Sequence, residues 1–281
     1  MNTRIARRAF LRQSTLGGAG LLILNDARLA RAYAANDKLN LAGIGVGGQG
    51  RGNLDNFAGQ GQNLVALCDV DQARAGDIYQ KHPSARAFTD FRRMFDAMER
   101  EIDAVVISTP DHTHAVAAVA AMRRGKHVFC EKPLARTVRE ARVMRETALA
   151  TRVITQMGNQ GSAEPRLRRA VELIQGGVLG EVREAHVWFD GGNEPLTRPT
   201  EQPAIPSTLD WDLWLGPAEA RPFHPAYLPG TWRGWRPFGS GIVGDFGCHT
   251  GNIMFRALNL ADLWKPGAAS SPNTVIRFQA A

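Results

Sequence analysis

Three side chains stand out for what their spacing could do. Asp245 and His249 lie four residues apart in Gly244-Asp-Phe-Gly-Cys-His249, so a helix there puts both on one face. Imidazole titrates near neutral pH and can take the proton that a secondary alcohol must lose when hydride leaves its carbon. Lys132 follows a short apolar run and precedes Pro133, which aims it; an ammonium there can hydrogen-bond a ribose and a second hydroxyl together. The Lys132–Pro133 bond is a candidate for the cis form. The plainer readings are a core histidine satisfied by Asp245 and a surface lysine paired with Glu131.

A second constellation suits a dinucleotide. Gly45-Val-Gly47-Gly48-Gln49-Gly50 follows one apolar run and opens a helical pattern. In that context the first glycine permits a tight turn, the second a close approach to pyrophosphate, and the third close packing of helix on strand. The helix N-terminus then offers free amides to phosphate. The register Gly43/Gly45/Gly48 also fits but starts the turn inside the strand. Asp69 stands 24 residues after Gly45, where a carboxylate can accept from an adenosine ribose. That favours NAD over NADP; Asp71 competes for the role, and Arg51 and Arg74 keep NADP open. His112 and His114, beside Asp111, are two residues apart without a strong third ligand, so no metal site is expected.

These residues need a scaffold that brings them to one edge. From Lys38 onward, apolar runs at Leu39–Ile44, Leu64–Cys68, Ala104–Ser108, Val128–Cys130 and Val153–Thr155 alternate with helical stretches at about 49–58, 72–82, 90–99, 114–124 and 137–150. That alternation predicts βαβ units and a parallel sheet, covered on both faces. A further helix is expected at 165–175, and Glu181–Phe189 alternates like a half-buried antiparallel strand. Pro195–Pro237 holds four of the six tryptophans and reads as a long ordered loop region. Flat aromatic faces suit sugar rings, although such residues more often form core. The expected domains are a signal over 1–35, a dinucleotide-binding domain over 38–156 and a second domain over 157–281.

Composition excludes other classes. The net charge of +7 is uneven: residues 1–34 hold six arginines against Asp26, leaving 28 basic against 26 acidic residues in the body. Nucleic acid is therefore not an expected partner. Three cysteines are too few for a disulfide framework, and no apolar run reaches the roughly 18 residues of a stable membrane span. The amino-terminal order is basic, then apolar over Leu16–Leu24, then small around Ala30–Ala35, the layout of an export signal. Arg7-Arg8-Ala-Phe-Leu-Arg12 resembles a twin-arginine (Tat) signal, which predicts the Tat export machinery as a partner and a periplasmic or otherwise exported protein.

Gly45–Gly50, Thr109-Pro-Asp-His-Thr-His114, Gly125-Lys-His-Val-Phe-Cys-Glu-Lys-Pro133 and Gly244–His249 stand in the order and spacing of the Gfo/Idh/MocA oxidoreductases, and the chain resembles the exported branch of that family from about Leu39 to Leu260. The resemblance implies a Rossmann-type parallel-sheet domain followed by an α+β domain with an open, mostly antiparallel sheet. It implies His249 as general base, Asp245 as its orienter or the substrate's, and Lys132 as the third of the trio. It puts Thr109, Pro110 and His114 in the nicotinamide wall and adds Glu131 and Lys132 to the cofactor set of Gly45, Gly47, Gly48, Gln49, Gly50 and Asp69. The implied activity is NAD(P)-dependent hydride transfer with a secondary alcohol of a sugar or cyclitol. A redox glycosidase and a non-catalytic dinucleotide-binding chain are the alternatives. After Leu260 only 21 residues follow, with one strand-like run at Thr274–Phe278. The second sheet is therefore expected to be incomplete, with open edges that favour a homo-oligomer.

Overall fold

The computed structural model describes residues 38–189 and 197–264. The signal expected over 1–35 and the strand-like run Thr274–Phe278 lie outside the described residues. Six parallel strands form one sheet in the order β3-β2-β1-β4-β5-β6. They are β1 Asn40–Ile44, β2 Asn63–Cys68, β3 Arg86–Phe88, β4 Ala104–Ile107, β5 His127–Glu131 and β6 Thr155–Gly158. The chain runs outward from β1 to β3, then returns to β4 on the other side of β1. The carboxyl ends of β1 and β4 thus flank a crevice, where ligands bind in open α/β sheets.

The connecting helices are α1 Gln49–Gly59, α2 Gly76–Lys81, α3 Phe91–Met98, α4 Asp111–Arg123 and α5 Val138–Thr151. Local chemistry sets several of their starts. The Asp90 carboxylate accepts from the Arg92 amide to cap α3, and Thr137 with Glu140 forms a capping box on α5. The extended Pro110 lets α4 begin at Asp111, three residues before the expected 114. Helix α2 is shorter than the expected 72–82 because Asp71 turns the chain first, its side chain accepting from the Arg74 amide. Apolar residues pack both faces of the sheet: Ala42, Val105 and Val128 on one, Val46, Leu54 and Leu67 on the other.

Three expectations shift. Strand β3 has only three residues and no run long enough to register as a pattern. Strand β6 begins where Val153–Thr155 was expected to end, since Arg152 closes α5 in the left-handed region and the Ile154 carbonyl takes the first bond of the ladder, from the Val128 amide at 3.0 Å; the sheet thus reaches Gly158, past 156. Glu181–Phe189 forms no strand. An alternating segment needs a neighbour to take its backbone hydrogen bonds, and it has none among the described residues; Trp188 is 80% exposed.

Beyond β6 follow α6 Pro165–Gln175, α7 Trp211–Leu215, α8 Gly241–Thr250 and α9 Asn252–Ala257. The tryptophan-rich stretch is a core of its own. Trp211 stacks on Trp214 with ring centroids 4.7 Å apart, and Phe223, Tyr227, Trp235 and Phe238 close around them. This core is pinned to the carboxyl edge of the sheet. Asp111 accepts from the Ser240 amide (3.1 Å) and hydroxyl (2.7 Å), and the His112 Nε2–H donates to the Trp214 carbonyl at 3.0 Å. Burial pushes the His112 imidazole down to about 4, so it is neutral and donates from one nitrogen. These contacts set α8 over the crevice.

The glycine loop yields a paired test. A Cβ on Gly50 would lie 2.0 Å from the Gly45 carbonyl oxygen, whereas one on Gly52, inside α1, meets nothing within 4 Å. Gly50→Ala is expected to destabilise by about 1–3 kcal/mol. Gly52→Ala is expected to stabilise by about 0.5–1 kcal/mol through helix propensity and unfolded-state entropy. Denaturant unfolding of the two variants checks both signs.

Candidate active site

A cleft of about 370 Å³ runs along the carboxyl edge of the sheet, from Asp69 and the glycine loop at one end to Lys132 and His249 at the other. At the first end β1 stops at Ile44 and Gly45 turns the chain with φ +76°. A Cβ on Gly45 would lie 2.8 Å from the Thr109 amide nitrogen, so β1 and the loop after β4 meet only over glycine. Helix α1 has no side-chain cap at Gly48 and no acid in its first turn, which leaves its amides for an anion. This is the Gly45/Gly47/Gly50 register. Gly47 and Gln49 line the cleft, while Gly48 and Gly50 shape the turn without lining it. Gly48 faces the Arg74 side chain, which lies across the loop.

Asp69 is buried at the end of β2, accepting from the Gly47 amide at 2.9 Å and the Asp71 amide at 3.0 Å. Burial pushes its carboxyl up, against the pull of these amides. Asp71 also lines the cleft, but one of its carboxylate oxygens takes the Arg74 amide. Midway, Thr109 and Pro110 form one wall, and the buried Thr109 Oγ1 has no hydrogen-bond partner among the described residues. A buried hydroxyl facing a cleft is satisfied when a polar ligand fills it. Glu131 is buried opposite, accepting from Asn53 Nδ2 at 2.8 Å. Asn53 also reaches Ser108 Oγ at 3.1 Å and so ties α1 to the ends of β4 and β5. A glycine cradle, a ribose-ready carboxylate and an unpaired wall hydroxyl along one cleft fit a dinucleotide.

At the far end the Lys132–Pro133 bond is cis. Lys132 Nζ donates to Asp245 Oδ1 at 2.5 Å and to the Asp245 carbonyl at 3.1 Å. Asp245 is buried on α8, and its other oxygen lies 3.4 Å from Arg233 Nε. Two of the three ammonium donors are thus spent and the third is left for a ligand. His249 lies one turn beyond Asp245 on the same helix, as the four-residue spacing requires, and lines the cleft with Phe246. Asp245 orients Lys132 rather than His249: neither ring nitrogen of His249 has a hydrogen-bond partner among the described residues. Burial and the Lys132 charge hold the His249 imidazole below its ordinary value, against the opposing pull of Asp245.

His114 departs from the expected nicotinamide wall. It lies behind the cleft, not along it, with its ring between two backbone carbonyls. Asn53, Gln160 and Arg233 were not singled out from the sequence, and the last two of them line the cleft. Arg233 carries no motif; only its meeting with an acid twelve positions on reveals it. Of the tryptophans weighed as sugar platforms, Trp214 and Trp232 reach the cleft wall, while Trp211 and Trp235 serve the core.

The family model described as "Oxidoreductase family, NAD-binding Rossmann fold" matches residues 39–159, and its companion, "Oxidoreductase family, C-terminal alpha/beta domain", matches residues 189–255. A glycosyl hydrolase family 109 protein of Shewanella baltica is 31% identical over 205 residues, covering 63% of this chain and 44% of that protein. An inositol 2-dehydrogenase of Rubrobacter xylanophilus is 32% identical over 149 residues, covering 52% of this chain and 42% of that one. The chain thus spans less than half the length of these relatives. The crystal structure of an oxidoreductase domain protein from Kribbella flavida superposes with a TM-score of 0.57 at 25% identity, covering 79% of this chain and 54% of that one.

The site's electrostatics can be tested directly. In an NMR titration His249 is expected to lose its proton below the ordinary imidazole range, so that it is neutral at pH 7. Lys132→Met removes a positive neighbour and is expected to move that midpoint up. Asp245→Asn removes a negative one and is expected to move it down. An unmoved midpoint in both variants contradicts the geometry.

Proposed function

Because the chain belongs to the Gfo/Idh/MocA oxidoreductase family, with an NAD-binding Rossmann domain, we propose that it removes hydride from a secondary alcohol of a sugar or cyclitol, with NAD as acceptor and NADP as the alternative. The observation that carries this reading is the single cleft joining the Asp69–glycine end to Lys132 and His249. When bound, the nicotinamide supplies the hydride acceptor. The chain's own residues supply the rest. Gly47, Gln49 and the α1 amides hold the pyrophosphate, and Asp69 accepts from the adenosine ribose. Thr109, Pro110 and Glu131 wall the nicotinamide half. The free Lys132 donor holds the alcohol oxygen, and the neutral His249 takes its proton. Asp245 and Arg233 keep the ammonium aimed. The reverse direction uses the same groups, with His249 as acid.

A second reading has support from the family 109 glycosyl hydrolase relative: oxidation of a sugar carbon that is transient, enabling elimination of the aglycone and returning the hydride within one turnover. Export through the twin-arginine pathway is part of the proposal and rests on Arg7-Arg8 and the apolar run after them. A recycled cofactor suits a compartment that does not replenish NAD.

Incubation with NAD and a panel of cyclitols, free sugars and aryl glycosides separates the readings. Net NADH with a polyol or sugar supports the dehydrogenase; aglycone release without net NADH supports the glycosidase. Lys132→Ala and His249→Ala are each expected to lower turnover by at least about 10²-fold while NADH still binds. Unchanged turnover in both overturns the assignment of roles. Retention of Arg7→Lys/Arg8→Lys protein in the cytoplasm, against export of the parent, checks the address.

A further inference from the structure

His114 takes no part in the chemistry above, yet it is 1% exposed and held at both ends of its ring. Nδ1 lies 2.8 Å from the Pro133 carbonyl oxygen and Nε2 lies 2.8 Å from the Thr109 carbonyl oxygen. Carbonyl oxygens only accept. A neutral imidazole carries one N–H, so it would turn a lone pair on one of these oxygens at hydrogen-bonding distance. Both contacts are attractive only when both nitrogens are protonated.

We propose that His114 is a fixed imidazolium clip, whose two N–H groups tie the loop carrying Thr109 and Pro110 to the loop carrying Lys132 and Pro133, and that it is thereby a positioning residue for both walls of the cleft. The two loops follow different strands, β4 and β5. Thr109 sets the distance to the glycine turn and Lys132 projects from the residue before Pro133, so one buried cation fixes three parts of the cleft.

The surroundings agree. Burial works against the charge, but the Cys130 side chain on β5, the Asp111 carboxylate in the first turn of α4 and the Pro133 carbonyl outweigh it and raise the imidazole to about 9. The remaining titratable neighbours are His112, neutral on the same helix, and Asp245 on α8, which acts on Asp111. With a folded value raised above the unfolded one, the clip's stabilisation is complete below about pH 6.5 and lost as pH rises through about 9.

The charge is measurable on the full chain without ligand, by NMR with ¹⁵N-labelled histidine rings at pH 8. One of the seven histidines is expected to hold both ring protons, and His114→Gln to remove that signal. Seven neutral rings, or a doubly protonated signal surviving His114→Gln, overturns the proposal. Should His114→Gln not fold, single Gln variants of the other six, His82, His112, His127, His186, His224 and His249, decide: the signal must survive in each, and its loss in any one overturns the proposal. The positioning role rests on the dinucleotide reading and is tested by NADH fluorescence titration. Wild-type affinity is expected to fall about tenfold from pH 7.5 to 9.5, and His114→Gln to bind weakly and evenly across that range. A wild type flat with pH overturns the positioning role. NADH failing to bind at any pH overturns the cofactor reading, while the NMR result still decides the clip.

Discussion

The contact between Lys132 and Asp245 is the constraint around which the cleft is arranged. It joins the end of β5 to a helix 113 residues later, and both side chains are almost wholly out of water, at 14% and 12% exposure. Such a pair contributes little stability over an apolar replacement, but removing one partner strands the other charge and costs about 3–5 kcal/mol. It therefore specifies position more than it stabilises. The fold meets this demand from both sides. Glu131 is locked by Asn53 beneath Lys132, and α8 is seated by the Asp111–Ser240 and His112–Trp214 hydrogen bonds.

Three histidines around the cleft occupy three electrostatic situations, set by their acceptors and neighbours. His112, packed between Trp214 and Phe238 and bonded to one carbonyl, is neutral. His114, between two carbonyls and near Asp111, holds a charge. His249, beside the Lys132 ammonium and without a hydrogen-bond partner among the described residues, is neutral and open to the cleft. Residue type alone distinguishes none of these. The same side chain is a packed hub, a two-ended clip or an open ring according to what faces its nitrogens.

Much of the dinucleotide half was legible because its signals are local. Glycine spacing, the acid after β2, the capping pairs and the apolar runs all act within a few residues, and the described strands and helices follow them closely. The partnerships that decide the site are not local. The Trp214 carbonyl is 102 residues from His112, and Arg233 meets Asp245 only because the tryptophan core sets one beside the other. The alternation of Glu181–Phe189 misled for a related reason: period-two patterning states which face is apolar, but a strand exists only with a neighbour to pair. His114 was placed on the cleft wall by motif position, when its ring reaches instead to the backbone behind it.

Thermal unfolding of the chain with and without saturating NAD and NADP tests the central claim, that one cleft over the β1–β4 crevice holds a dinucleotide against Lys132 and His249. A nucleotide at 100 times its dissociation constant that binds only the folded state stabilises by about 2.7 kcal/mol, which raises the midpoint by about 5–10 °C in a domain of this size. NAD is expected to give that shift, and NADP a smaller one because Asp69 faces its extra phosphate. A cooperative transition unmoved by either nucleotide would contradict the claim.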